Sequence, residues 1–126
     1  MNRTISIYGK YFFEFYNELD EDLQDKIDWV FELVKTVDFI PKKYFKHLED
    51  SDGLFEIRIE FKSNIYRIFS FFDEGNLVIL LNAFQKKTQK TPTNELKLAK
   101  KLKKQYFIDK KLKAENEEGN RKNIKK

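Results

Sequence analysis

At 126 residues, 40% of them apolar and 37% charged, the chain is long enough for one domain with its own core and too short for two ordinary ones. With no cysteine there is no disulfide framework or thiolate metal site, and with the single histidine His47 there is no three-histidine zinc site and no pair of histidines to act as acid and base. The net charge of +4 hides an asymmetry: residues 14–38 hold nine acids against two lysines, a local −7, and residues 86–113 hold eleven lysines against Glu95 and Asp109, a local +9. A basic pole of that density draws polyanions at long range, although a solvated lysine-rich helix face gives the same count.

In chain order, residues 3–8 alternate Ile5 and Ile7 with polar neighbours and predict a short strand, broken at Gly9. Phe12, Phe15, Tyr16 and Leu19 then fall at helical spacing. Asp20, Glu21 and Asp22 cap and charge the start of a second helix with the stripe Leu23, Ile27, Val30, Val34 and Val37, which Pro41 closes. The link between the helices is short, so they are expected to pair antiparallel on one face of a sheet. Residues 41–53 read as a basic connector carrying Lys42, Lys43 and Lys46 and ending in the turn signal Asp52-Gly53.

Phe55, Ile57, Ile59 and Phe61 alternate with Glu56, Arg58 and Glu60 in a half-buried strand. A turn at Ser63-Asn64 leads to a strand over 65–72, and a turn over 73–76 leads to a third over 77–84, apolar almost throughout as befits a central position. Thr91-Pro92 opens a last helix to about residue 112, with Leu96, Ala99, Leu102, Tyr106 and Phe107 on one half and lysines on the other. The pattern predicts an α+β fold: an N-terminal strand, two antiparallel helices, a three-stranded antiparallel meander and a basic C-terminal helix, with the helices packed on one sheet. Residues 1–113 form the single domain, and 114–126, with no apolar period, are expected to be a disordered or frayed charged tail.

The chemistry concentrates between Gly53 and Pro92. A guanidinium inside a sheet must reach water or an anion, and its fork matches phosphate oxygens bidentately. With the turn at Ser63-Asn64, Lys62 faces Ile65 and Glu60 faces Arg67, so Arg58 and Arg67 project from one face. The arginines could then serve only as cross-strand partners of Glu56 and Glu60. Alternatively Arg58 and Arg67, with Lys86, Lys87 and the basic connector, form a cationic surface on which Tyr44, Tyr66 or Tyr106 could stack on bases and Thr88 could touch a phosphate. His47 reads as a structural or surface residue, and Trp29 as partly buried or a partner contact.

The stretches G-L-F-E-I-R, I-Y-R-I-F-S-F-F-D and F-Q-K-K-T-Q-K-T-P-x-x-E-x-x-x-A resemble the HigB-like, phage-derived branch of the RelE/ParE toxin superfamily over roughly residues 3–107. The resemblance implies a toxin of a type II toxin–antitoxin pair: a ribosome-dependent endoribonuclease that cuts mRNA without a metal or other cofactor. It implies a protein antitoxin, in this branch usually of helix-turn-helix type, through which alone operator DNA is met. On the matching motifs the catalytic residues are Arg58, Arg67, Lys86 and Lys87. The residues expected to bind RNA, mostly from the basic connector and the neighbouring side chains, are Lys42, Lys43, Lys46, Tyr66, Thr88 and Tyr106. A gyrase-inhibiting toxin and a non-catalytic antitoxin- or RNA-binding module are the alternatives on the same fold. No stretch approaches the ~20 apolar residues that span a bilayer, and the N-terminus lacks the apolar core of a signal peptide, so the expected compartment is the cytoplasm.

Overall fold

The computed structural model describes residues 2–124, with side chains to 119. Five strands, β1 (Thr4–Ile7), β2 (Phe45–His47), β3 (Phe55–Phe61), β4 (Asn64–Phe72) and β5 (Leu77–Lys86), form one sheet in the order β1-β5-β4-β3-β2. Only β1 runs parallel to its neighbour, β5; the other pairings are antiparallel. Three helices complete the fold: α1 (Tyr11–Asn17), α2 (Glu21–Thr36) and α3 (Thr93–Ile124). The connector thus contains an edge strand: β2 adds a three-residue ladder beside Glu56, in which Phe45 pairs with Ile57 and stacks on Phe55 at 4.8 Å. So short a ladder leaves almost no alternation to read in advance.

The sheet is covered on both faces. On one face Phe12 of α1 and Leu23, Ile27, Val30 and Val34 of α2 pack with Ile57, Ile59, Ile68 and Leu80. Phe12 meets Phe31 at 5.6 Å and the Tyr16 hydroxyl donates to Asp28 at 3.0 Å, so α1 and α2 run antiparallel. On the other face Leu96, Ala99, Leu102 and Tyr106 of α3 pack with Phe69, Phe71, Ile79 and Leu81. β4 and β5 contribute to both cores, which is why β5 is apolar with almost no alternation. The Asp20 side chain accepts from the Leu23 amide at 2.9 Å and caps α2 as its sequence implies.

The β3–β4 turn falls at Lys62-Ser63, with φ of 48° and 67°, one residue before the position read from the sequence. Both central residues lie in the left-handed region, as a two-residue hairpin turn demands. Asn64 opens β4 instead, and its Oδ1 accepts from Gln85 at 3.3 Å. Phe61 therefore pairs with Asn64, Glu60 with Ile65, and Arg58 with Arg67. Glu60 does not face Arg67. Moving the turn by one residue shifts the pairing by two, so each side chain keeps its face and the arginines share one.

α3 continues as a helix to Ile124, beyond residue 112 where its apolar period stops, and residues 113–119 are exposed. Its junction with the sheet is polar. The Tyr106 hydroxyl donates to Asp73 at 2.5 Å, Lys110 pairs with Asp73 at 2.9 Å, and the Tyr8 hydroxyl donates to Asp109. Burial alone would raise the Asp73 pKa, but the hydrogen bonds from Tyr106 and Lys110 outweigh it and hold the pKa below its ordinary value. The bond from Tyr8 does the same for Asp109, while burial and then that bond push Tyr8 up to about 12. For a depressed carboxylate, stability is complete above the unfolded-state pKa and is lost as pH falls through the folded one. Asp73→Asn is therefore expected to lower stability at neutral pH and to match the wild type once both lie below the folded pKa of Asp73. Urea midpoints from pH 7 down into the acid range check this; a constant gap would contradict it.

Candidate active site

Strand alternation sends Glu56, Arg58 and Glu60 from β3, Arg67 from β4 and Lys86 from β5 to the face that carries α3, beyond the part α3 covers. There Arg58, Glu60, Arg67, Lys86, Lys87 and Thr88, with Gln85 and Gln89, line an open cleft of about 710 Å³. It falls in the size range of small-molecule sites. All four residues expected to be catalytic converge on it.

Arg67 is only 4% exposed and Glu56 only 5%. One oxygen of Glu56 lies 3.1 Å from Arg67 Nε and 3.6 Å from Arg58 Nε. Neither buried Nε–H is aligned for a hydrogen bond, and the carboxylate lies between two cations that sit directly opposite each other. Directly opposed like charges destabilise a sheet, and Glu56 offsets that repulsion. Burial, then the Arg58 charge, pushes the Arg67 pKa down, while Glu56 and Glu60 push it up. An arginine remains charged under such a shift. The remaining donors are partly engaged: Arg67 donates to the Tyr66 carbonyl at 3.1 Å and Arg58 to the Lys42 carbonyl at 3.3 Å.

The expected RNA-binding residues divide. Thr88 lines the cleft, its hydroxyl donating to the Lys90 carbonyl at 3.0 Å. Lys42 abuts Arg58 through its backbone, and Lys46, opposite Glu56, lies on the cleft face at the sheet edge. Lys43 lies over the Tyr44 ring. Tyr66 does not reach the cleft. As the neighbour of Arg67 on one strand it faces the other way, 8% exposed, with its ring 6.1 Å from Phe15 under α1. Tyr106 is also elsewhere: it is held by Asp73, six residues beyond Arg67 and so about 20 Å along β4. Tyr44 packs against Trp29. Among the described residues that line the cleft none is aromatic, so it contacts a ligand through charge and hydrogen bonds. His47 is exposed on β2 with its ring against Phe55 at 5.1 Å.

Sequence reasoning passed over two carboxylates except as ion-pair partners. Glu60 is the one acid lining the cleft, and Glu56 is the buried counter-charge beneath it. The alternation Glu-x-Arg-x-Glu placed all three on one face; which acid would be buried depended on β2 covering Glu56 and leaving Glu60 open. Among the described residues no group of three or more His, Asp or Glu side chains could hold a metal ion, and no helix is long and apolar enough to cross a membrane.

In this α+β fold a single sheet brings cations from separate strands together around one polar cleft. The model of the phage-derived Gp49-like protein family (DUF891) matches residues 14–104, and the chain belongs to that family. The family is of the RelE/HigB-like toxin type, associated with toxin–antitoxin pairs. No curated protein matches the chain.

Proposed function

We propose that the chain is the toxin of a type II toxin–antitoxin pair in the HigB-like branch, an mRNA endoribonuclease that works on the ribosome in the cytoplasm. The observation that carries the reading is the convergence of Arg58, Arg67, Lys86 and Lys87, from three strands and the loop after them, on one cleft. Ribonucleolysis without a metal needs positive charge placed in advance where phosphoryl oxygens gain negative charge, and preorganised charge of this kind often contributes more to rate than any other single effect.

In this reading the ribose 2′-oxygen attacks the adjacent phosphorus, the bond to the 5′-oxygen breaks, and the products are a 2′,3′-cyclic phosphate and a 5′-hydroxyl. Arg67 and Arg58 stabilise the phosphoryl oxygens. Glu60, the carboxylate in the cleft, accepts the 2′-hydroxyl proton, and Lys86 or Lys87 returns a proton to the departing 5′-oxygen. The cleft offers no aromatic platform to order a flexible strand, so the ribosome supplies alignment, worth up to about 7–11 kcal/mol of barrier, and free RNA is cut slowly. The partner is a protein antitoxin of helix-turn-helix type, which carries the complex to operator DNA.

Brief expression in cells, with mapping of new RNA 5′ ends by primer extension, tests the reading. Cuts in translated messages that disappear in Arg67→Ala are expected. DNA breaks without RNA cuts would point to a gyrase-directed toxin, and growth arrest with neither would leave a binding module.

A further inference from the structure

α3 carries apolar side chains on two sides. Leu96, Ala99, Leu102 and Tyr106 belong to the core, whereas Phe107, Ile108 and Leu112 are 41%, 45% and 52% exposed. Phe107 and Ile108 floor a groove of about 670 Å³ between α3 and residues 51–52, rimmed by Lys100, Lys104 and Lys111. Its far wall is fixed. The Ser51 hydroxyl donates to the Leu48 carbonyl at 2.5 Å and accepts from the Leu54 amide at 3.1 Å. Lys103 donates to the Asp52 carbonyl and lies over the Phe71 ring, which in turn meets Phe107 at 5.5 Å.

We propose that this groove docks an amphipathic helix of a partner protein, one with an apolar stripe flanked by aspartates and glutamates. An apolar floor offers nothing to a phosphate chain, while the lysines cover its margin with their stems and hold their ammonium groups at the rim. Charge complementarity therefore selects acidic flanks. From Lys100 to Lys111 the helix rises about 16 Å, room for about three turns of a partner helix, which is the helix-in-groove mode of recognition.

A second copy of this chain fits less well. Its acidic surface lies on α2, which carries the exposed Asp22, Asp25 and Asp28 and the half-exposed Trp29, with Lys26 over the Trp29 ring. But α2 covers the sheet face opposite α3, so an α2–α3 contact between copies would run head to tail rather than close as a dimer. The inference deepens the antitoxin half of the reading above and rests on it for the identity of the partner.

Nitrogen-15 NMR of the full chain tests it, with three probes: a stapled helical peptide bearing leucines on one face and glutamates on its flanks, a peptide of the same composition without the period, and a 2′-O-methyl oligouridine. The patterned peptide is expected to shift amides along Lys100–Leu112 and at Ser51 and Asp52, and Ile108→Glu to weaken it roughly tenfold or more. The unpatterned peptide leaves these amides unmoved, and the oligouridine moves residues around Arg58 and Lys87 instead. No response to the patterned peptide would overturn the proposal. So would oligouridine moving the groove amides in its place, or self-association of the chain that Ile108→Glu abolishes. The titration needs no cleavage, so docking by a chain that cuts no RNA would sink the ribonuclease reading and leave the groove standing, and the converse result would do the reverse.

Discussion

Arg67→Ala is expected to lower RNA cleavage by about 10²–10³-fold in the catalytic step, the loss that follows removal of one preorganised donor from a developing oxyanion. The same substitution takes from the buried Glu56 carboxylate its nearer cation, 3.1 Å away, and leaves it only Arg58 at 3.6 Å, so it is expected to cost up to about 3 kcal/mol of stability. Lost activity alone would therefore be ambiguous. The double variant Glu56→Gln/Arg67→Met separates the causes, because exchanging a buried ion pair for neutral groups of similar size is often neutral or stabilising. Its urea midpoint should return to near the wild-type value while cleavage stays about 10²–10³-fold below wild type. A double variant that is stable and cuts RNA would show that the guanidinium serves the fold and not the chemistry.

Glu60→Gln probes the other half of the mechanism. Glu60 is exposed at the mouth of the cleft and pairs across the sheet with Ile65, so stability should change little. Loss of a general base is expected to lower kcat by about 10²-fold or more while KM stays within a few-fold, since the amide keeps the shape but cannot take the proton. Glu60→Asp should recover part of the rate. Single-turnover cleavage on programmed ribosomes measures both constants. If Glu60→Gln tightens RNA binding and leaves kcat intact, Glu60 is a repulsive charge at the rim and the proton goes elsewhere.

Most of the frame was legible from local pattern. The alternation of β3 and the capped stripe of α2 each follow from a period that tertiary contacts reinforce. The arginines could be set on one face because parity survives a two-residue change of pairing, even though the turn itself lies one residue earlier than the sequence suggests. The tyrosines failed for the complementary reason. Tyr66 is expected to stack on bases at the cationic surface, yet it neighbours Arg67 on one strand and so faces the other way, into the core beneath α1. Tyr106 met a partner, Asp73, that lies in a turn far away in sequence and that no local pattern names. The burial of Glu56 hung on β2, whose few residues leave no period to detect.

The central claim is that cations carried by β3, β4 and the end of β5 act together on one RNA phosphate. Side-chain nitrogen-15 NMR of the arginine and lysine groups, during titration with a 2′-O-methyl RNA that cannot be cut, tests it most directly. The Arg58 and Arg67 guanidinium signals and the Lys86 and Lys87 ammonium signals are expected to shift on one binding isotherm. RNA that moves only the lysines of α3 and leaves both guanidiniums unchanged would contradict it.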